Sequence, residues 1–173
     1  AGGIRDWDDP YNMDKTGYFG SEKNGGYAEY TMADRRDVAV VESDLSDAEL
    51  ATFQCSYSTG EGMLERANVT DSDTVLIPGA SGGVGSGLIQ LAKRRGARVI
   101  AMASEAKHAD VAKLGPDLIL PRAPEDLRAA LGDEKITVVA DVVGGDAWPD
   151  LIDVLERGGR YTCSGAIAGP IVN

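Results

Sequence analysis

The 173-residue sequence predicts an α/β fold built on a doubly wound parallel sheet, preceded by the remnant of a β-rich module. Three observations predict it. From residue 74 to residue 164, apolar runs of strand length alternate with amphipathic runs of helix length. The glycine-rich turn Gly79-Ala80-Ser81-Gly82-Gly83-Val84-Gly85 joins the first of those strands to the first of those helices. Ahead of both, residues 25–41 carry strand formers after a glycine pair and show no helical period.

Residues 1–24 mix Gly, Asp, Asn and aromatic residues without a period and read as irregular structure. Gly25-Gly26-Tyr27-Ala28-Glu29-Tyr30-Thr31-Met32 and Val38-Ala39-Val40-Val41 then read as two short strands, the edge of the β-rich module. Ser46-Asp47-Ala48-Glu49 has the capping-box spacing, with Leu50, Phe53 and Tyr57 at helical intervals behind it. A helix is expected from near Ser46, running past Cys55 into a second helix over 59–67. The alternating part follows: strands over 74–78, 98–103, 118–120, 137–143 and 159–164, helices over 84–95, 105–114, 124–131 and 146–156. Five strands alternating with four helices imply a parallel sheet with right-handed crossovers. The expected division is a β-module remnant at 1–45 and an incomplete nucleotide-binding domain at 46–173. A chain that starts at Ala1 without methionine and stops at Pro170-Ile171-Val172-Asn173 reads as a fragment of a longer protein, truncated at both ends.

The totals exclude several classes. A net charge of −11 leaves nothing to neutralise nucleic-acid phosphates along a groove. Cys55 and Cys163 lie 108 positions apart, neither a zinc-ribbon spacing nor a disulfide framework, so a reducing cytoplasm is the expected setting. No apolar stretch approaches the roughly 20 residues that span a bilayer, and no membrane partner is expected. With His108 as the single histidine, on a sheet-flanking helix, a Ser/His/Asp triad has no support.

The chemistry centres on the glycine turn. Gly82 and Gly83 would let backbone approach a pyrophosphate, Gly85 would let helix pack on strand, and the free N–H groups at the helix start would face the anion. Ser81 and Val84 belong to the same cradle. If the cofactor were NAD, the second strand would end in a carboxylate for the adenosine ribose. The position 19 residues past Gly85 is instead Ser104, with Lys107 three residues on. That pair suits a 2′-phosphate, and NADP(H) is the expected cofactor. The competing reading makes Ser104 a helix cap and Lys107 a solvated surface residue, with Glu105 turned inward.

At this point the sequence resembles the medium-chain dehydrogenase/reductase superfamily, zinc-type alcohol dehydrogenases and zinc-free quinone oxidoreductases. The resemblance rests on Gly25-Gly26-Tyr27-Ala28-Glu29-Tyr30, Cys55-Ser56-Tyr57-Ser58-Thr59-Gly60, the glycine turn, Asp141-Val142-Val143-Gly144-Gly145 and Gly158-Gly159-Arg160-Tyr161, in that order. It implies a Rossmann domain preceded by the end of a GroES-like catalytic module. It implies hydride transfer between NADP(H) and a carbonyl, alcohol or activated alkene on a small-molecule substrate. It implies Thr59 near the nicotinamide or its phosphate, Val142, Val143, Ser164 and Gly165 along the nicotinamide half of the groove, and a homodimer as a possible assembly. It also sets Cys55 where zinc-dependent members carry one of three protein ligands to catalytic zinc. The remaining ligands would come from upstream of Ala1, and the competing reading of Cys55 is a small packed thiol. Cys55 favours the alcohol dehydrogenase type, while the form of the glycine turn looks more like the quinone reductase type. A non-catalytic NADP(H)-binding sensor is the reading from another class. The capping box at Ser46 is structural, the acidic run Asp6, Asp8, Asp9 reads as a solvated loop, and Cys163, Met102 and Trp148 read as packing.

Overall fold

The computed structural model describes residues 3–4, 8–9, 12–15 and 17–169. Asp6 and the last four residues, Pro170 to Asn173, lie outside them. The chain divides into two compact units, Ala1–Cys55 and Ser56–Asn173.

In the first unit, β1 (Gly3–Ile4) pairs antiparallel with β2 (Gly17–Tyr18). This ladder was not expected from the sequence, because two-residue strands carry no period. The tight turn after β2 closes on itself instead: Gly20 takes φ +84°, its N–H donates to Lys23 O at 2.8 Å, and Tyr18 N donates to the Glu22 carboxylate at 2.8 Å. The two strands expected at 25–32 and 38–41 do not form. Strand propensity reports how a side chain packs on a pleated, half-buried surface. Here Tyr27, Tyr30, Met32 and Val40 are almost fully exposed, and no described segment offers them a ladder. Between them Asp34 caps a single 3-10 turn, Arg35–Asp37, accepting Arg36 N at 2.8 Å.

Helix α1 (Asp47–Arg66) is one continuous helix of 20 residues rather than two. Its capping box closes as expected: Ser46 N donates to Glu49 Oε2 at 2.9 Å and the Ser46 hydroxyl donates to the same oxygen at 2.6 Å. Its C-terminal half buries Gly60, Met63 and Leu64.

The second unit is a five-stranded sheet, all parallel, of β3 (Thr74–Ile77), β4 (Arg98–Ala103), β5 (Leu118–Pro121), β6 (Ile136–Asp141) and β7 (Leu155–Cys163). The order across it is β5-β4-β3-β6-β7. Helices α2 (Gly83–Arg94), α3 (His108–Ala112), α4 (Leu127–Leu131) and α5 (Trp148–Asp153) make the crossovers. Alternate strand residues serve opposite faces. Val75, Ile77, Val99, Ala101 and Val138 join Leu64, Leu88, Ile89 and Val111 in one core layer. Leu76, Ile100, Ile136 and Val139 join Leu127, Leu131, Leu151 and Val154 in the other. From β3 the chain winds first towards β5 and then, after recrossing, towards β7. The order therefore reverses between β3 and β6, and their carboxyl ends open the crevice where such sheets bind ligands.

Local chemistry moved some boundaries. The helix expected at 124–131 starts at Leu127, because the Asp126 carboxylate accepts Ala129 N at 2.9 Å and takes the cap in place of Pro124. The one at 105–114 begins as a 3-10 turn, Glu105–Lys107. Cys163, expected in the core, is exposed at the end of β7, its thiol on Gly165 O at 3.2 Å. Edge position leaves β7 mostly uncovered. No helix among the described residues is long and apolar enough to cross a membrane.

Candidate functional site

The turn between β3 and α2 is held by its own backbone. Gly82 N donates to Gly79 O at 3.0 Å, and Ala80 N donates to Met102 O on β4 at 3.0 Å. Gly79 takes φ +67°, and a Cβ there would stand 2.8 Å from Val143 Cγ2. At Gly85 a Cβ would meet the Ala80 Cα at 2.7 Å and the Gly79 carbonyl oxygen closer still, so helix and strand can pack only without one. Gly83 is crowded by a residue that sequence reasoning passed over: a Cβ there would lie 2.6 Å from the Ser56 hydroxyl oxygen.

Gly82 is different. Its backbone is ordinary extended chain, φ −79° and ψ 169°, and the nearest atom to an added Cβ is Gly79 O at 3.4 Å. Nothing among the described residues requires glycine at this position. Gly82 caps α2 without a side-chain hydrogen bond, and the Ser86 hydroxyl turns back onto Gly82 O at 2.7 Å. The N–H groups of Gly83, Val84 and Gly85 find no acceptor among the described residues. Ser81, Gly82 and Gly83 are exposed. The result is a row of unused donors at the positive end of a 12-residue helix, with open space before it.

At the tip of β4, Ser104 precedes the 3-10 turn in extended conformation, φ −65° and ψ 147°, and its side chain makes no capping bond. Lys107 N donates to Ser104 O at 2.8 Å, which brings the two residues to one turn. Lys107 is exposed and forms no ion pair among the described residues, and Glu105 is exposed rather than turned inward. His108 sits under the turn, its Nε2 3.0 Å from Ala103 O.

Across the switch point, Val142 and Val143 lie against Gly79. The loop after β7 is stitched to them: Ser164 N donates to Asp141 O at 3.0 Å and Ala168 N to Val143 O at 2.9 Å, while a Cβ on Gly165 would lie 2.7 Å from Val142 O. Asp141 itself is completely buried. Its carboxylate accepts Val143 N at 2.7 Å, Gly144 N at 3.1 Å and the Tyr161 hydroxyl at 2.6 Å. Burial, and then the Asp141 hydrogen bond and charge, push the Tyr161 hydroxyl far above its ordinary range. Sequence reading quoted these two residues only as parts of strand ends; an aspartate closing an apolar strand before Gly-Gly is the signal that was available. Thr59, half-buried on α1, precedes Gly60, where a Cβ would approach Leu88 Cγ to 3.4 Å.

Cys55 is a free, exposed thiol on α1. Among the described residues no group of three or more His, Cys, Asp or Glu side chains is placed to hold a metal ion. Those residues do not fit a zinc centre, and Cys55 stands there without co-ligands. An open concavity of about 550 Å³ lies within the first unit, lined among others by Lys23, Tyr27, Tyr30 and Met32, and includes none of the expected site residues.

A parallel sheet with an uncapped glycine turn at its switch point defines a Rossmann-like α/β domain. The chain belongs to the zinc-binding dehydrogenase family, whose model matches residues 83–172, within the medium-chain dehydrogenase/reductase superfamily expected from its motifs. It is 31% identical over 172 residues to a 2-methylene-furan-3-one reductase of Solanum lycopersicum, covering 97% of this chain and 43% of the relative. A candidate alcohol dehydrogenase of Sinorhizobium meliloti 1021 superposes with a TM-score of 0.86 at 48% identity, over 94% of this chain and 46% of that one. A mycobacterial protein solved with NADPH superposes with a TM-score of 0.68 at 31% identity, over 77% and 43%. The chain thus spans a little under half the length of each of these three relatives.

Proposed function

We propose that this chain is the cofactor-binding part of an NADP(H)-dependent oxidoreductase that moves a hydride between the cofactor and a carbonyl, alcohol or activated alkene. The observation that carries it is Gly82. A glycine that neither its own conformation nor any neighbouring atom demands, ahead of three N–H groups without acceptors, is explained by something outside the chain that needs the room and the donors.

In this reading Ser81, Gly82, Gly83 and Val84 hold the pyrophosphate, and the uncapped Ser104 hydroxyl and the Lys107 ammonium take the 2′-phosphate. Thr59, Val142, Val143, Ser164 and Gly165 line the nicotinamide end, where they orient the ring and exclude water. When bound, the nicotinamide supplies hydride transfer, and the protein supplies orientation and electrostatics. The NADPH complex of the mycobacterial relative supports the choice of cofactor. The tomato relative, named as a reductase of a methylene-furanone, supports an activated alkene as substrate class, the side shared with the zinc-free quinone reductase type. The end of the GroES-like module is then residues 1–45, inside the first unit, and the cofactor domain begins at Ser46, which caps α1. A homodimer in the cytoplasm is the assembly and setting that go with it.

The test uses the full-length protein. It is expected to bind NADPH in preference to NADH and to oxidise it when offered enones or aldehydes. Cofactor binding without turnover across such a panel would favour the sensor reading instead. Ser104→Asp should reverse the preference, lowering the NADPH:NADH affinity ratio by about tenfold or more, the equivalent of one charge-assisted hydrogen bond turned into a repulsion.

A further inference from the structure

We propose that the buried Asp141–Tyr161 pair is a positioning device for the nicotinamide half of the groove, fixing the Val142-Val143-Gly144 turn against the glycine turn at Gly79. The inference rests on the dinucleotide reading above and adds to it two residues that reading did not assign to the cofactor.

A fully buried carboxylate is costly unless its oxygens are hydrogen-bonded. Asp141 meets that condition with two backbone donors from the turn that follows it and one side-chain donor from the adjoining strand. The pairing of β6 with β7 makes the third donor available. Asp141 stands opposite Cys163 and Val139 opposite Tyr161, so Asp141 and Tyr161 are diagonal neighbours on one face of the sheet. The Trp148 ring meets the Tyr161 ring edge-on, at 6.1 Å between centroids and 88° between planes, and holds it in place. A hydroxyl held protonated by burial remains a donor throughout the working pH range.

What the pair controls makes it more than a loop cap. The two N–H groups that Asp141 fixes belong to Val143 and Gly144. The side chains of Val142 and Val143 fill the space beside Gly79, 3.2 and 2.8 Å from where its Cβ would be. Gly144 takes φ +63°, and a Cβ there would press on Ala166 Cα at 3.2 Å, so the same turn also sets the loop that carries Ser164 and Gly165. Three wall segments of the nicotinamide end are therefore registered through one carboxylate. The adenosine end, at Ser104 and Lys107, hangs on β4 and makes no hydrogen bond to Asp141 or Tyr161 among the described residues.

The experiment measures, on full-length protein, the affinities of NADPH and of adenosine 2′,5′-bisphosphate, which carries the adenosine end alone. Tyr161→Phe, which deletes one oxygen and keeps the ring, should weaken NADPH about tenfold and the bisphosphate less than about twofold. Asp141→Asn should show the same asymmetry, enlarged. Equal losses for both ligands would reduce the pair to general stability, and an unchanged NADPH affinity would show it idle; either overturns the proposal. If wild-type protein binds neither ligand, the dinucleotide reading itself falls and takes the proposal with it, a result distinguishable from the other two. Amide exchange in unmodified, ligand-free protein gives a check that needs no variant to fold. The Val143 and Gly144 amides should exchange slowly, and exchange as fast as that of an exposed loop would overturn the proposal.

Discussion

Residues 25–41 and β3 contain similar strand formers and end differently. Tyr30 is 90% exposed in irregular chain, whereas Leu76 is 0% exposed in the centre of a sheet. Composition does not separate them, since Val38-Ala39-Val40-Val41 is as apolar as Thr74-Val75-Leu76-Ile77. The difference is partners. Strand β3 has a parallel neighbour on each side and a helical layer over each face. The earlier segment has no described ladder and no cover. Strand propensity is realised only where the rest of the chain supplies a surface for it.

The largest expected effect breaks or upholds that contrast directly. Leu76→Ala should cost about 3 kcal/mol in denaturant unfolding, because a packed core cannot refill the cavity. Val40→Ala should stay within about 0.5 kcal/mol. Comparable losses at the two sites would mean that the first unit packs as firmly as the second.

Within the second unit the same logic separates two glycines of one turn. Gly85→Ala forces a Cβ onto backbone and should cost about 2 kcal/mol. Gly82→Ala meets only ordinary contact at 3.4 Å and should change stability by less than about 0.5 kcal/mol while weakening NADPH severalfold in a binding titration. Full affinity in Gly82→Ala would remove the observation on which the functional reading rests. Reversed stability effects would mean the turn is packed otherwise than described.

These contrasts also show what was legible in the sequence. The alternation from 74 to 164 was readable because each strand and helix there is a run whose period survives burial on both faces. The glycine turn was readable because its spacing is dictated by backbone geometry. Most missed or misplaced features depended on long-range partners. The register that sets Tyr161 diagonal to Asp141 is not visible in either strand alone. The approach of Ser56 to Gly83 needs α1 laid across α2. The Asp126 cap that displaced Pro124 was visible as a residue type but not as the winner between two start signals. The two absent strands failed for want of a sheet to join.

The smallest effect lies in two carboxylates whose acidity is lowered in different surroundings. Exposed Asp34 falls to about 2, chiefly through its hydrogen bonds from the Arg36 side chain and backbone. For Asp73 burial works in the opposite direction, but the hydrogen bonds from Thr70 N and the Thr137 hydroxyl, with the Arg160 charge, outweigh it and hold the group below its ordinary 3.8. A carboxyl with a lowered folded value adds stability that is fully present above 3.8 and is lost as the pH falls through the folded value. The Asp34 pair is open to water and ions, so screening removes most of its effect. Asp73 is buried and ties β3 to Thr137 on β6 and Arg160 on β7. Acid titration of unfolding should therefore show a shallower fall below pH 4 in Asp73→Asn than in wild type, relative to each protein's own stability at neutral pH. Asp34→Asn should follow the wild-type curve, and added salt should leave the Asp73 contribution nearly intact. A wild-type acid limb in Asp73→Asn, or one flattened by Asp34→Asn, would place the pH-sensitive contact in the first unit and reverse the comparison.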